Sequence, residues 1–355
     1  MGDMTSSEKK PVTIRDVAAR AQVSLATASR ALTGGGYVDE RTKHRVHTAA
    51  SELHYRPHAA ARGLRLQRSH TIGLMIADIV NPFYSHLADG VLDCAKRLRY
   101  HVILAATDED PAMEREYLEV FLEKRVDGIL AVPTGHNLSL WREALDLGIK
   151  VVLVDREIPR IPEADVVLVD NVQGAYDATS YLIGLGHRRI GIISGPTSTT
   201  TGKGRLQGYY AAHKDAHIPV DSQLVQVGTF KRETGFEAAQ RLLALDPPPS
   251  AIFASNNVLG ESALFALREQ ELKIPEDISV ILFDDVPWAS LTTPRLTVVA
   301  QPTHRLGVVA VEQLTQRLQE AEPTGFRRIK VVLQAELIIR ESCRNVSSPL
   351  ISIQG

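Results

Sequence analysis

The sequence has little cysteine, no long hydrophobic run and almost no net charge. Only Cys94 and Cys343 occur among 355 residues, which excludes a disulfide scaffold and a zinc site built from several cysteines. We therefore expect a cytoplasmic protein. No run of about 18 uncharged apolar residues is present, so the sequence predicts no membrane-spanning helix and no membrane partner. Residues 1–16 carry charges and lack an apolar core, so we expect no secretory signal.

Charge is distributed unevenly, although the whole sequence holds 40 Lys and Arg against 42 Asp and Glu. Residues 1–70 contain twelve of the basic residues and six of the acidic ones, a formal charge of +6, which leaves −8 for residues 71–355. A basic segment on an acidic body predicts a polyanionic partner for the basic segment. The alternative is a solvated basic surface with no such partner.

Motifs typical of enzymes are missing or incomplete. Gly202–Gly204 resembles part of a phosphate-binding loop, but that loop requires Gly where the chain has Thr197 and Ser or Thr where it has Gly204. The dinucleotide fingerprint fails because Gln207 replaces its third glycine. No H-E-x-x-H or G-x-S-x-G occurs, and the 12 histidines show no metal-ligand spacing. We expect no catalysis, no cofactor and no bound metal.

The basic segment has the pattern of three helices without strands. Thr13 provides a capping-box-like start for the first helix, and Ser24 can cap a second helix over Leu25–Leu32. A third helix opens near Asp39. The apolar positions recur at helical spacing: Ile14, Val17, Ala18, Ala21, Ala28, Ala31, Leu32, Val46, Ala49, Ala50 and Leu53. Two short helices joined by a turn are typical of a helix-turn-helix, whose second helix fits the major groove of DNA.

The segments TIRDVAARAQVSLATASRAL and YVDERTKHRVHTAASELHYRPHAAARGLR make this interpretation specific, because they resemble the DNA-binding head of the lactose/galactose repressor (LacI/GalR) family. The frame DVA…VS…T.SR.L and the exit Leu53–Pro57 carry the likeness, which continues to about residue 342. It implies that Leu25, Ala26 and Arg30 read bases. The other DNA contacts that it implies, mainly to phosphates, are Thr13, Ser24, Thr27 and Ser29, with Tyr55 in the same set. The alternative is that Ser24 only caps a helix and Arg30 is only a surface charge.

Two positions depart from that family's pattern. Gln22 stands in the turn where the family usually has Gly, and a non-glycine residue at positive φ costs on the order of 1 kcal/mol. Leu25 and Ala26 are apolar and short, so they can touch a thymine methyl group but cannot make bidentate hydrogen bonds to a base. The sequence therefore does not specify an operator.

Residues 57–70 form a linker that we expect to order only under some conditions. Three alanines favour helix, Gly63 costs about 1 kcal/mol there, and so short a segment is not a stable helix in water. The resemblance implies a hinge helix that pairs with its copy in a dimer and inserts Leu64 into the minor groove, with Arg62 and Arg65 near the groove or phosphates. In the free protein the alternative is a flexible basic linker.

Short β-rich runs alternate with amphipathic segments through the rest of the chain, which predicts parallel sheets with helices on both faces. The first series has strands at Thr71–Ala77, His101–Ala106, Asp127–Val132 and Lys150–Val154, and helices near 84–98, 112–124 and 139–147. The second has strands near 189–194, 223–227, 250–254 and 278–283, and helices near 173–185, 203–216, 232–245 and 257–270. The predicted fold class is a small all-α helix-turn-helix head plus an α/β body of two doubly wound parallel-sheet subdomains, arranged as the resemblance implies like periplasmic binding proteins.

The domain organisation follows from these segments and from the resemblance. We expect a disordered N-terminus over residues 1–12, a DNA-binding domain over 13–56, the hinge over 57–70, a ligand-binding and dimerisation domain over 71–342 and a tail over 343–355. Within the body, the resemblance implies crossings near 171, 301 and 330. One subdomain then comprises 71–171 and 302–330, and the other comprises 172–301 and 331–342.

Two doubly wound sheets leave a cleft where their strand ends face each other, the usual ligand site of such sheets. The candidate ligand residues are Asn81, Phe83, Tyr84, Arg156, Thr199, Thr201, Arg205, Phe230, Asn257, Asp284 and Gln301. Aromatic faces cover apolar ring surface, and Arg, Asn and Asp hydrogen-bond to buried hydroxyls. The alternatives are a core position for Phe83 and Phe230, a turn cap for Asp284, and a polar loop away from the ligand for Thr199 and Thr201.

The ligand class stays open at this level. Asn257 stands where many sugar-binding relatives carry Asp, and an amide fits an uncharged or anionic ligand. Thr199 stands where a purine-binding relative would use Arg, which argues against a nucleobase. The candidates are a sugar, a sugar acid, a polyol or a phosphosugar.

We interpret the chain as a ligand-responsive transcription regulator, most simply a repressor that binds double-stranded operator DNA as a homodimer. A single helix-turn-helix reads only a half-site, so two-fold protein symmetry matches a pseudo-palindromic operator. Residues 344–355 lack the leucine heptads of a tetramerising helix, which favours a dimer. The alternatives are an effector that acts as a corepressor, a body that serves mainly as a solute-binding module, and a sugar-processing enzyme.

Overall fold

The computed structural model of the chain describes residues 12–33, 36–55, 69–320 and 327–347. Its internal contacts divide the chain into two units, Met1–Ser69 and His70–Gly355. In the described part of the chain, no helix combines the length and the hydropathy that crossing a membrane requires.

The first unit contains three helices, α1 (Ile14–Arg20), α2 (Leu25–Thr33) and α3 (Glu40–Glu52). Each begins at a polar side chain: Thr13 donates its backbone NH and Oγ1 to Asp16 Oδ2, Ser24 Oγ accepts from Thr27 N at 3.1 Å, and Asp39 Oδ1 accepts from Thr42 N at 2.9 Å. These bonds satisfy amides that the first turn of a helix leaves without partners. The predicted helix starts are confirmed.

Small side chains form the core of this unit. Val17, Ala28 and Val46, one from each helix, are fully buried, and the alanines between them let the helices approach closely. Gln22 adopts a φ of 53° in the turn between α1 and α2, so the left-handed backbone expected for this position is present without a glycine.

The second unit begins with a sheet whose strands are continuous apolar runs, as strands buried on both faces require. Its elements are β1 (Thr71–Ile76), α4 (Pro82–Arg97), β2 (His101–Ala106), α5 (Pro111–Lys124), β3 (Gly128–Ala131), α6 (Leu138–Asp146), β4 (Lys150–Val154) and β5 (Asp165–Val169). The chain then continues into a second sheet with α7 (Asn171–Gly184), β6 (Ile190–Ser194), α8 (Thr200–Asp215), β7 (Val225–Val227), α9 (Arg232–Leu243), β8 (Ala251–Ala254), α10 (Asn257–Glu269), β9 (Ser279–Phe283) and β10 (Thr297–Ala300).

Three elements near the end of the chain return to one sheet or the other: α11 (Thr303–Gln319), β11 (Lys330–Leu333) and β12 (Glu336–Ile338). The first sheet has the order β11-β5-β4-β3-β1-β2, and the second has β12-β10-β9-β8-β6-β7. All described strand pairs are parallel except β10 with β12. An apolar core covers each face of each sheet. The predicted fold class is confirmed, with that antiparallel pair as an addition.

We define the first lobe as the elements of the first sheet with α4, α5, α6 and α11, and the second lobe as those of the second sheet with α7 to α10. The chain passes between the lobes after β5, after β10 and after β11. The expected third crossing near residue 330 needs correction, because Lys330–Leu333 pairs with β5 in the first sheet. Only two residues separate β11 from β12. The sequence pattern therefore does not indicate that these two strands belong to different sheets.

Candidate functional site

One side of α2 is exposed. Leu25, Ala26 and Arg30 are exposed, whereas Ala28 and Ala31 pack into the core of the first unit. This division arises because the apolar positions of α2 lie on one side of the helix, which leaves Leu25, Ala26 and Arg30 on the exposed side. A face of this kind can present side chains to another molecule.

The other predicted DNA contacts that the structure describes lie on α2 or beside an end of one of the three helices. Thr13 and Ser24 are exposed, Thr27 and Ser29 are half-buried, and Thr27 Oγ1 lies 2.8 Å from Ser24 Oγ. Tyr55 packs part of its ring against the core of the unit. The hinge residues Arg62, Leu64 and Arg65 lie outside the described residues.

In the second unit, polar side chains collect where strands of both lobes end. Arg156 follows β4, Arg205 lies on α8 after β6, and Asp284 and Gln301 follow β9 and β10. They line a cavity of about 170 Å³, which adjoins a second cavity of about 400 Å³ that Asn257 lines. The first volume is below the ~300 Å³ at which pockets for drug-sized ligands begin, so it suits a small molecule.

Arg156 is the most constrained charge of the cleft. Its Nη1 and Nη2 each donate to an oxygen of Glu109 at 2.6 Å, and Nη2 also donates to the Tyr84 hydroxyl at 3.1 Å. The guanidinium carbon lies 5.4 Å from the centroid of the Phe230 ring of the second lobe. Burial alone would lower the pKa of Arg156, but Tyr84 and Glu109 outweigh burial and raise it, so this side chain is cationic.

Asp155 precedes Arg156 and is 3% exposed. Burial raises the pKa of its carboxyl group to about 6, although Arg156 and Arg205 act in the opposite direction. Its Oδ2 lies 3.7 Å from Arg156 Nε. The carboxylate is thus ionised at neutral pH but close to its titration range.

Arg205 is held by the second lobe. Its Nε donates to Asn171 Oδ1 at 2.8 Å, its Nη1 donates to the Ser255 carbonyl at 2.5 Å, and its guanidinium carbon lies 3.8 Å from the centroid of the Phe283 ring. Burial lowers the pKa of Arg205. Packing and hydrogen bonds fix the plane of this guanidinium group, which lines the first cavity.

A hydrogen bond between amide side chains joins the two lobes. Asn257 Nδ2 donates to Asn81 Oδ1 at 2.8 Å, and Asn81 Oδ1 also caps α4 by accepting from Phe83 N. Asp284 accepts from Asn257 N at 3.1 Å and from Gln301 Nε2 at 2.6 Å. A ligand that enters here therefore meets groups from both lobes at once, so it can change the free energy of closing the lobes.

The structure brings most of the predicted ligand residues together. Those that line the two cavities are Asn81, Phe83, Tyr84, Arg156, Thr201, Arg205, Phe230, Asn257, Asp284 and Gln301. Phe83 also belongs to the core of the first lobe, so the core alternative and the cleft position both hold for it. The prediction for Thr199 needs correction. Its Oγ1 accepts from Gly202 N as the cap of α8, and Thr199 is not among the residues that line the two cavities.

Sequence reasoning missed several acidic residues and one lysine of the cleft. The additional charged lining residues are Asp78, Asp108, Glu109, Asp155 and Lys231. Asp155 directly follows β4, and Asp108 and Glu109 follow β2 after one intervening residue. Their position after a strand end is a signal that the sequence carries for them, as it does for Asp284.

One group of the described residues has potential metal ligands close together. Asp89, Asp93 and His304 offer atoms within 4.8 Å of one another, on α4 and at the start of α11. All three side chains are exposed, and exposed acidic groups of this kind are common without an ion.

Comparison with known proteins gives two family matches. Residues 13–58 match bacterial regulatory proteins of the lacI family, and residues 69–340 match periplasmic binding proteins and the sugar binding domain of the LacI family. The chain is 35% identical to the HTH-type transcriptional regulator DegA of Bacillus subtilis (strain 168), over 95% of this chain and 98% of that protein.

Solved structures show the same architecture. The complex of the transcriptional regulator CelR with cellobiose has a TM-score of 0.71 and 30% identity, covering 93% of this chain and 99% of that one. The lac repressor dimer bound to operator and the anti-inducer ONPF has a TM-score of 0.79 over 94% of this chain and 100% of that one. Its identity is 24%, so it supports the fold alone.

Proposed function

The chain belongs to the LacI family of bacterial regulatory proteins, and on this premise we propose that it is a ligand-responsive transcription repressor. It binds a pseudo-palindromic operator in double-stranded DNA as a homodimer, and a small molecule in the cleft alters its affinity for DNA. The observation that carries the proposal is the exposed face of α2, where Leu25, Ala26 and Arg30 stand free of the core.

The chemistry of that face fits a DNA groove. Arg30 supplies a planar donor that pairs with guanine, and Leu25 and Ala26 supply apolar contacts for thymine methyl groups. In this proposal Thr13, Ser24, Thr27, Ser29 and Tyr55 position the helix through phosphates. A single unit covers one half-site, so a homodimer is needed for a full operator.

The cleft supplies the regulatory site. Its lining supports a sugar or sugar-derived effector, because buried amides, carboxylates and guanidinium groups surround the Phe83 and Phe230 rings. The CelR structure, which holds cellobiose, favours the same class. The lobe-to-lobe bond between Asn257 and Asn81 gives such a ligand contacts that depend on the angle between the lobes.

The connection between the two sites is the hinge over residues 57–70, with Leu64 as a wedge in the minor groove and Arg62 and Arg65 beside it. An effector that changes the lobe angle orders or releases this segment in both copies of a dimer, and DNA affinity follows. The domain boundaries at 13–56, 57–70 and 71–342 belong to this proposal, as does a location in the cytoplasm, where the operator is.

A gel shift with DNA from upstream of the chain's own gene tests the proposal. We expect Arg30→Ala to weaken operator binding by about 10- to 100-fold, since one bidentate base contact contributes about 1–3 kcal/mol. Arg268→Ala, which removes an exposed arginine of α10, is the matched control and should bind like the wild type.

Equal operator affinity of the Arg30→Ala and wild-type proteins at matched salt would contradict the assignment of α2. Addition of candidate sugars to the same assay decides the sign of the response. Release of DNA identifies an inducer, and tighter binding identifies a corepressor.

A further inference from the structure

The two buried arginines of the cleft already have partners within the chain. Both terminal nitrogens of Arg156 donate to the Glu109 carboxylate, in the bidentate geometry that a ligand carboxylate or phosphate would otherwise adopt. Arg205 is committed to Asn171 and to the Ser255 carbonyl. An anionic ligand would therefore have to displace the Glu109 carboxylate before it could pair with Arg156.

The charge of the cleft also opposes an anion. Five carboxylate side chains line the main cavity, against three cationic ones. Lys231 is one of the three and is exposed, so solvent screens its charge. Asp155 and Asp284, in contrast, are 3% and 5% exposed. Arg156 and Arg205 are buried to the same extent, at 3% exposure each, and balance these two acids. The opposition to an anion therefore comes from the less buried Asp78, Asp108 and Glu109.

Buried oxygens of the cleft, moreover, are without hydrogen-bond partners among the described residues. They are Asp155 Oδ1, Asn257 Oδ1 and Gln301 Oε1. Asp155 and Asn257 are more than nine-tenths buried, and a buried acceptor without a donor destabilises the folded protein. Hydroxyl groups can satisfy all three because they donate. A sugar acid or a phosphosugar also carries hydroxyl groups, so these acceptors indicate a polyhydroxylated ligand, and selection against its anionic relatives depends on the pairing of Glu109 with Arg156.

We propose that the cleft takes a polyhydroxylated ligand without an anionic group, a sugar or polyol rather than a sugar acid or phosphosugar, and that Glu109 rejects the anionic relatives. Glu109 acts by occupying Arg156 and by adding its own charge. This proposal rests on the proposed function only in treating the cleft as the effector site.

Ligand sets that share a sugar skeleton and differ in whether they carry an anionic group test the proposal on the full-length chain. Each set contains a neutral sugar or polyol and at least one anionic derivative of it. Examples are glucose with glucuronate and glucose 6-phosphate, and ribose with ribose 5-phosphate. Thermal shifts at pH 7.5 and fixed ionic strength identify binders by mass action, and calorimetry gives their affinities. We expect at least one neutral member to bind more than about tenfold more tightly than its anionic partners.

A larger shift with an acid or a phosphate than with its neutral partner would overturn the proposal, and so would the absence of a shift with every neutral member. In either case operator binding in the gel shift remains intact, whereas failure of the proposed function would abolish operator binding itself.

The role of Glu109 is tested separately with Glu109→Gln, which keeps the shape and one hydrogen-bond acceptor but removes the charge. For a set in which the neutral member binds, we expect the preference over its anionic partner to fall by at least about fivefold. Glu116→Gln, an exposed glutamate on α5, is the control and should retain the wild-type preference. An unchanged preference in Glu109→Gln would show that Glu109 is not the selecting group.

Discussion

At the scale of single residues, the cleft concentrates backbone conformations that side chains rarely adopt. Asp108, Glu109, Asp155 and Asp284 have φ values of 50°, 62°, 65° and 84°, in the region where a residue other than glycine costs on the order of 1 kcal/mol. Neighbouring strands compensate for part of this cost, since Asp155 N donates to the Val167 carbonyl and Asp284 N to the Val299 carbonyl. The sheets therefore hold Asp155 and Asp284 in place, as the surrounding structure usually does for strained residues at functional sites.

Asp155 makes the stability of the protein depend on pH. Burial raises the pKa of its carboxyl group from 3.8 to about 6, so the folded chain keeps a proton that the unfolded chain has lost between those values. Its stabilising contribution is complete below about pH 4 and is lost as the pH rises through 6. Asp155→Asn lacks the titrating carboxyl group, so this contribution to stability no longer changes with pH. We expect its free energy of unfolding, relative to wild type, to increase by up to about 3 kcal/mol between pH 4 and 7.

Urea unfolding of both proteins at one-unit pH intervals measures this difference, because the other titrating groups contribute equally to the two curves. Parallel curves across the whole range would contradict the assigned pKa.

At the scale of elements, backbone contacts between helices fix the first lobe. The helices α4 and α11 approach so closely that a Cβ atom on Gly90 would lie 2.1 Å from the His304 carbonyl oxygen, and one on Gly307 would lie 2.3 Å from that of Leu87. Only glycine permits such an approach of two backbones. This contact attaches α11, which follows the second lobe in sequence, to the first lobe.

Substitution at this contact should be costly. We expect Gly90→Ala to lower the free energy of unfolding by about 2–3 kcal/mol, because a methyl group cannot displace a backbone carbonyl without moving a helix. Gly184→Ala is the matched control: it lies at the end of α7 with no atom within 4 Å of the added carbon, and it should stabilise by up to about 1 kcal/mol. Chemical denaturation measures both, and equal effects of the two substitutions would refute the close approach.

The sequence predicted elements well where the hydrophobic periodicity is strong, and poorly where the pairing of strands determines the element. The strands at His101–Ala106 and Lys150–Val154 have the predicted bounds. The strand Asp165–Val169 was not predicted, although all five residues are buried, because it follows β4 without an intervening helix. In the cleft, the aromatic and amide residues were found from the family pattern, but the pairing of Glu109 with Arg156 joins loops that are 47 positions apart, and no local pattern reveals it.

At the scale of the whole molecule, the separation of charge governs how the chain meets DNA. Residues 1–70 carry a formal charge of +6 and the remainder carries −8, so attraction to phosphates is confined to the first segment. We expect operator affinity to fall by about 10³-fold or more between 50 and 200 mM salt, as counterions are released from some six or more phosphates. A gel-shift or anisotropy titration across this range measures the slope, and an affinity that is independent of salt would contradict the expected phosphate contacts.

The three passages of the chain between the lobes have a consequence for proteolysis. They lie after β5, after β10 and after β11. A protease that cleaves one of them therefore leaves the two lobes joined by the other two, while each of the two fragments still packs against the other within a lobe. The fragments should migrate together under native conditions and separate only in denaturant.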